Sequence, residues 1–421
     1  MKSAINLFLM DITHASNTSG VDRHVSTLIG GLQNYAHIRV HCIHLTDDEK
    51  LLFPKEEKID HYVKISIPLP QQYNTIIAER FWIRKYNEQV YRLTKHLFEG
   101  KENCIIHLHT LNLIDLAVYI RERERCKVIT HLHCIPWKGL YNSDKKKFNR
   151  LYQVTYADTG QKTTPEMYVT NNCELQSYSE PDALICGTYC GIDFLKNCIG
   201  NFTNNTYVIP NGGVNLCHNF HRKYENEENS YTLLFVATVN ESKGILFILQ
   251  ALQLIQNKGY KISLIIAGSY FLDFKNRIEQ SYPTLNITML GLVSIEKLKK
   301  LYSQCDIGII GSLQEQASYT GVEMSMFGMP IVTTNVDGLD EMFTDEINAL
   351  KVNTKFSPVF GLSVDVEMMA DQVIRLIEDK KLRKEIGRNA RKLYEEKLTS
   401  SLMIQRVVHV YEMLVENPFK N

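Results

Sequence analysis

Two doubly wound α/β domains, each built on a parallel sheet, are what this sequence predicts, and three observations carry the prediction. The chain has 421 residues, more than one ordinary hydrophobic core holds and suited to about two domains of ~150–200 residues. Short apolar runs alternate with longer amphipathic runs, which is the pattern of parallel strands joined by crossover helices. The alternation falls into two series, separated by residues 211–230, a stretch rich in Asn, Gly, His and charge and poor in aliphatic side chains.

In the first series the expected strands are 5–10, 38–44, 63–67, 104–109, 127–131, 183–188 and 206–209. In the second they are 233–238, 263–267, 287–290, 307–310, 331–334 and 349–352. These define an N-terminal domain over 1–210, a linker over 211–230 and a C-terminal domain over 231–399. A final helix over about 400–421 carries Met403, Val407, Val410, Tyr411 and Leu414 on one side and is expected to pack back on the first domain. The polar stretch 158–179 lacks periodicity and reads as a lid on the acceptor side.

Composition narrows the function. Apolar residues make up 44% and charged residues 22%, the balance of a globular protein. Lys plus Arg and Asp plus Glu both number 47, so no global field attracts nucleic acid or an anionic membrane. The basic run 121–150 is a local exception, read as a solvated helix face or as a patch for an anionic acceptor or a membrane surface. No apolar run reaches the ~18–20 residues of a membrane span. The opening run 4–10 meets Asp11 at once and reads as a buried strand, not a signal peptide. The ten cysteines form no CxxC pair and are expected to be reduced thiols of a cytoplasmic protein.

The strongest chemical signal is the segment Gly311-Ser312-Leu313-Gln314-Glu315-Gln316-Ala317-Ser318-Tyr319-Thr320-Gly321-Val322-Glu323, followed by Gly328-Met329-Pro330. It follows an apolar strand and opens a helix. A small-residue turn at a helix start presents unpaired N–H groups and the positive end of the dipole, a setting suited to a diphosphate. Glu315 falls in the turn and Glu323 on the helix, so one carboxylate is placed for the sugar end of a donor and the other for a ribose.

Two glutamates in this setting, between a strand and a helix ended by Gly-Met-Pro, resemble the signature of family 4 glycosyltransferases, which are retaining enzymes of the GT-B fold. Flanking pieces occur in the family's order: 233–238 followed by Lys243-Gly244, Ile266-Ala267-Gly268, Leu290-Gly291, Cys305-Asp306, and Gly338-Leu339-Asp340-Glu341. In the first half, Ser19-Gly20-Val21 looks like the family's glycine loop. His107-Leu108-His109 and Thr130-His131-Leu132-His133 resemble its histidine motifs.

The resemblance implies two domains facing across a cleft, with a nucleotide-diphosphate sugar, UDP-sugars favoured, held mainly by the C-terminal one. Lys243 would pair with the diphosphate, Glu323 would accept from the ribose, and Glu315 would hold the transferred sugar. Gly20 would bind the donor near the reacting centre, amides around Ser318, Tyr319 and Thr320 would add donors to the phosphates, and backbone near Leu292 and Val293 would meet the base. His133 would lie by the donor sugar and the acceptor, with His109 and His131 on the acceptor side. Two departures stand out. Ala237-Thr238 occupies the place of a usual Gly-Arg, for which Arg23 is a candidate replacement, and Gln316-Ala317-Ser318 replaces a common Gly-Phe-Gly.

The two His-x-His pairs allow a metal site, since residues two apart on a strand face the same way. The alternative is that one histidine of each pair packs in the sheet while the other points into the cleft. No Asp-x-Asp motif accompanies them, so metal-independent transfer is expected. The function expected is transfer of a hexosyl or related group, with retention, to a glycan, lipid-linked saccharide, peptide or small molecule. Rival readings are a GT-B epimerase or phosphorylase, or a non-catalytic nucleotide-sugar-binding subunit. The expected location is the cytoplasm, at the inner membrane surface if the basic run binds lipid.

Overall fold

The computed structural model describes residues 3–13, 20–70, 80–143, 146, 148–149, 174–217, 220, 222, 230–357 and 361–416. The chain divides into two compact units. Unit 1 comprises Met1–Tyr141, Lys145–Pro210 and Met403–Asn421, and unit 2 comprises Asn142–Asp144 and Asn211–Leu402.

Unit 1 is built on an eight-stranded sheet, β1 (Ile5–Thr13), β2 (Ile38–Thr46), β3 (Lys55–Ile59), β4 (Tyr62–Pro68), β5 (Cys104–Leu108), β6 (Lys127–Leu132), β7 (Ala183–Cys186) and β8 (Thr206–Val208), ordered β3-β4-β2-β1-β5-β6-β7-β8. All pairings are parallel except β3 with β4. β1 is apolar without alternation because both faces are covered, as parallel sheets require. Leu7 and Leu9 enter a core shared with helix α1 (Gly20–Leu32) and the last helix, while Phe8 and Met10 enter a core shared with α2 (Arg80–Thr94) and α3 (Ile114–Glu124).

Unit 2 is built on β9 (Ser230–Val236), β10 (Lys261–Ala267), β11 (Asn286–Gly291), β12 (Ile307–Ile310), β13 (Ile331–Thr334) and β14 (Leu350–Val352), in the order β11-β10-β9-β12-β13-β14. The chain runs outward one way from β9, then restarts at β12 and runs the other way. Tyr231, Leu233 and Phe235 pack with α4 (Ile245–Asn257), and Leu234 packs on the opposite face with α5 (Ile295–Gln304) and α6 (Tyr319–Met326). Over its described residues the segment expected as a linker lies on unit 2. Cys217 is buried in its core, Gly213 bridges Thr399, and the Asn211 amide donates to the Ala317 carbonyl at 3.0 Å.

The structure adds elements the pattern did not give. β3 is an antiparallel edge strand of sequence KEEKI, and β15 (Thr354–Ser357) with β16 (Gly361–Val364) forms a separate hairpin. β5 ends at Leu108, so His109 begins the following turn and is not in the strand. Of the stretch read as a lid, 158–173 lies outside the described residues, whereas Glu174, Ser177 and Tyr178 are buried. The basic run is less open than its sequence suggests. Lys138 is buried, Arg121 is bonded to Glu180, and Lys127 pairs with Asp182 at 3.2 Å. Among the described residues no helix is long and apolar enough to cross a membrane.

The last helix (Ser400–Glu416) places Met403, Val407, Val410, Tyr411 and Leu414 in the first core of unit 1. It sits so close to α1 that a side chain at Gly31 would strike Ile404. Tyr411 is fully buried, and its hydroxyl is 2.7 Å from His107 Nδ1. Tyr411→Phe leaves that nitrogen dry and unpaired, at a cost of about 1–3 kcal/mol. We expect a lower urea midpoint with an unchanged far-UV spectrum; an unaltered midpoint would show that the bond contributes nothing.

Candidate functional site

In an open parallel sheet the loops leaving the strands diverge where the strand order reverses, and ligands bind beyond the carboxyl ends there. In unit 2 that point lies between β9 and β12, which pair directly. The loop after β9 carries Lys243 and the loop after β12 carries Glu315, so topology brings together residues 72 apart in sequence. Lys243 Nζ donates to Glu315 Oε2 at 2.7 Å, and the Ser312 hydroxyl reaches the same oxygen at 3.3 Å. Both charged side chains are only partly exposed, 28% and 17%.

Backbone contacts hold the two loops together. Asn240 caps a single 3₁₀ turn, Glu241–Lys243, by accepting from the Lys243 amide. Gly244 then turns the chain at φ +70°, and a Cβ there would stand 1.8 Å from the Gly311 carbonyl oxygen. The Leu313 amide donates to the Ser242 carbonyl at 2.9 Å, tying the loops a second time. On the far side, the Thr334 hydroxyl donates to the Ser312 carbonyl and the Gly338 amide to the Glu315 carbonyl, at 2.6 and 2.8 Å.

The Glu315 turn feeds α6. Ser318 is its N-cap, accepting from the Gly321 amide at 3.1 Å, and the Thr320 hydroxyl donates to the Val236 carbonyl at 2.7 Å, anchoring the helix start to the end of β9. Tyr319 is the first helical residue. Glu323, on the same helix, is buried and accepts a hydrogen bond from the Tyr302 hydroxyl at 2.6 Å. Leu292, just past Gly291 at φ +69°, is exposed, and Val293 is partly buried against the core. At Thr238 the side chain contacts the Ser269 hydroxyl at 3.3 Å, and Arg277 pairs with nearby Glu241 at 3.1 Å.

Unit 1 has its own reversal, between β1 and β5. Here His109 follows β5, His131 lies on β6 and His133 just beyond it, while His107 is within β5. The expectation that one member of each pair would be packed and the other open fails for the first pair, where His107 and His109 are both buried; in the second, His131 is buried and His133 partly buried. A further histidine, His24 of α1, joins them, and its ring lies 4.4 Å from that of His131 and 4.8 Å from that of His133. His24 shares the buried helix face of Val25, Leu28, Ile29 and Leu32, so an amphipathic reading of 20–32 carried its signal. His109 Nδ1 and His133 Nε2 are 3.0 Å apart. Burial holds His109, His131 and His133 well below the usual histidine pKa, with neighbouring imidazoles adding to the effect, and lowers His107 to about 3. These four are therefore held toward the neutral form. Gly20, at the start of α1, is exposed, and Arg23 lies on the same helix in unit 1.

Comparison with known proteins bears on the fold and the family. Residues 218–393 match the family model described as glycosyl transferases group 1. The chain is 26% identical over 320 residues to an uncharacterized glycosyltransferase of Methanocaldococcus jannaschii, covering 74% of this chain and 76% of that one. It is 24% identical over 277 residues to the N,N'-diacetylbacillosaminyl-diphospho-undecaprenol alpha-1,3-N-acetylgalactosaminyltransferase of Campylobacter jejuni, covering 62% and 68%. Among solved structures, sucrose-phosphate synthase from Thermosynechococcus elongatus superposes with a TM-score of 0.71 at 16% identity, covering 98% of this chain and 99% of that one. An E. coli trehalose-6-phosphate structure bound with UDP-2-fluoro glucose gives 0.69 at 14% identity, covering 97% and 99%. The fold is GT-B, and the matches in sequence support a glycosyltransferase of the group 1 type.

The approach at Gly244 leaves no room for a methyl group. Gly244→Ala puts Cβ against a backbone carbonyl in a conformation L-residues avoid, so a loss of at least about 2 kcal/mol is expected. Thermal melting checks this; an unchanged melting temperature would mean that the two loops are free to separate.

Proposed function

We propose that the chain is a retaining, family 4 type transferase that takes a sugar from a nucleoside-diphosphate donor held on unit 2 and passes it to an acceptor bound by unit 1. The observation that carries this reading is the Lys243–Glu315 pair at the reversal point of the sheet, beside the amino end of α6. In the ligand-free chain the carboxylate keeps the ammonium in place. An incoming diphosphate takes over the lysine, and Glu315 is released to hydroxyls of the transferred sugar. Amides at Ser318, Tyr319 and Thr320 supply hydrogen bonds to phosphate oxygens. Glu323 accepts from the ribose, and backbone at Leu292 and Val293 meets the base.

The chemistry needs little from the protein beyond charge placement. The bond from the anomeric carbon to the phosphate oxygen breaks and the acceptor oxygen bonds to that carbon on the same face. The acceptor proton leaves on a phosphate oxygen. Lys243 offsets the charge that gathers on the departing diphosphate. His109, His131 and His133 belong to the acceptor side, where His133, the least buried of the three, has the ring to offer. UDP-sugars are the favoured donors, given the UDP-containing neighbours of the same fold. A lipid-linked saccharide is the favoured acceptor class, given the undecaprenol-linked substrate in the Campylobacter jejuni relative's name. Such a reaction belongs at the cytoplasmic face of a membrane.

One observation favours a second reading. Thr238 stands where the resemblance expects an arginine, so a non-catalytic nucleotide-sugar-binding subunit is the alternative. Transfer assays separate the two. Lys243→Ala and Glu323→Gln are each expected to lower transfer by roughly 100-fold or more while melting like the parent. Parental turnover by both variants removes the site, and tight donor binding by the parent with neither transfer nor hydrolysis establishes the non-catalytic reading.

A further inference from the structure

Five of the described histidines crowd the carboxyl end of the first sheet, which is more imidazole than a packed core or an acceptor site needs. Four of them, His24, His109, His131 and His133, each bring a ring nitrogen to within 4.8 Å of all the others. They come from three separate elements, so their convergence is set by tertiary structure and not by chain proximity. The His131 and His133 rings are stacked at 4.4 Å and within 4° of parallel, presenting adjacent edges to the same space.

Hydrogen bonding leaves part of this cluster unsatisfied. His109 Nδ1 and His133 Nε2 lie within hydrogen-bond distance of each other. His109 Nε2 and His131 Nδ1 are buried with no hydrogen-bond partner among the described residues. An unpaired buried ring nitrogen is unfavourable, and a folded chain keeps such atoms where something else satisfies them. A histidine ligates through a bare ring nitrogen, and four such rings face one another here.

We infer that His24, His109, His131 and His133 form a four-imidazole site for a divalent transition-metal ion of the zinc class. With metal–nitrogen bonds of about 2.0–2.1 Å, tetrahedral ligand atoms lie about 3.4 Å apart. The ring nitrogens lie within 4.8 Å of one another, so ligation requires the rings to draw in toward the ion. All-imidazole donors suit zinc, copper or nickel and are poor ligands for magnesium or calcium. The buried positive charge has a counterpart in Asp11, which is also buried. Asp11 comes one residue after the Met10–Leu108 pairing of β1 with β5, and His109, whose amide donates to the Met10 carbonyl, one residue after it on the other strand. Its carboxylate also holds His44.

The role is structural. One ion ties the start of α1 to β5 and β6, fixing the sheet end on which unit 1 presents its surface. Ligation occupies one nitrogen of His133 and leaves the other as an N–H donor of fixed orientation. The inference does not depend on the donor reading of unit 2.

The test uses full-length protein without a histidine tag, stripped with a chelator and titrated with Co²⁺ and then Zn²⁺. The expected result is one Co²⁺ per chain with the intense visible bands of a four-coordinate ion, bleached by one equivalent of Zn²⁺, and a higher melting temperature with zinc bound. His131→Ala is expected to abolish the cobalt spectrum. His133→Gln, at the least buried position, tests the same point where loss of His131 unfolds the sheet end, and is expected to weaken zinc binding by roughly 100-fold. Absence of saturable binding, or a spectrum unchanged in the folded His133→Gln protein, overturns the site. A Cu²⁺- or Ni²⁺-loaded chain with no affinity for zinc overturns the zinc assignment.

Discussion

The contact on which unit 2 depends is the approach of Gly244 to Gly311, where two loops from adjacent parallel strands pass closer than any side chain permits. Because that approach is fixed, the 3₁₀ turn bearing Lys243 and the turn bearing Glu315 have a fixed separation, and a 2.7 Å ion pair forms between residues distant in sequence. The Thr320 hydroxyl, bonded to the Val236 carbonyl, then aligns the start of α6 with the same strand end. Three kinds of anion-directed group are thus set by one sheet: an ammonium, helix-start amides and, by exclusion of side chains, bare glycine backbone.

The same topological device operates twice. Each sheet has a strand from which the order runs both ways, β1 in unit 1 and β9 in unit 2, and in each the chemistry-bearing residues collect at the strand ends beside the reversal. What differs is the residue type supplied. Unit 2 offers a lysine, carboxylates and small residues, while unit 1 offers neutral imidazoles in a dry setting. That division follows from the loop sequences, since the two sheets share their parallel architecture.

Much of this was legible in the sequence, because parallel strands covered on both faces read as apolar runs. The strands at 307–310 and 331–334 coincide with β12 and β13. Misses have physical reasons. β3 is KEEKI, an edge strand whose charges guard an open side and erase the hydrophobic signal. The β15–β16 hairpin is short and only partly buried, so it too carries little pattern. His24 was overlooked because a histidine pair on a strand announces itself by spacing, whereas a lone histidine on a helix face gains meaning only when the crossover lays α1 over β5 and β6. Lys138 shows the opposite error, a charge counted as surface that the fold buries.

Hydrogen–deuterium exchange with and without a saturating nucleoside diphosphate, UDP first and then GDP and ADP, tests the central claim most directly. The account predicts that one of them slows amide exchange in the peptides spanning 238–247 and 311–322 more than anywhere else in unit 2. Protection confined to other strand ends, or none with any of the three, would contradict it.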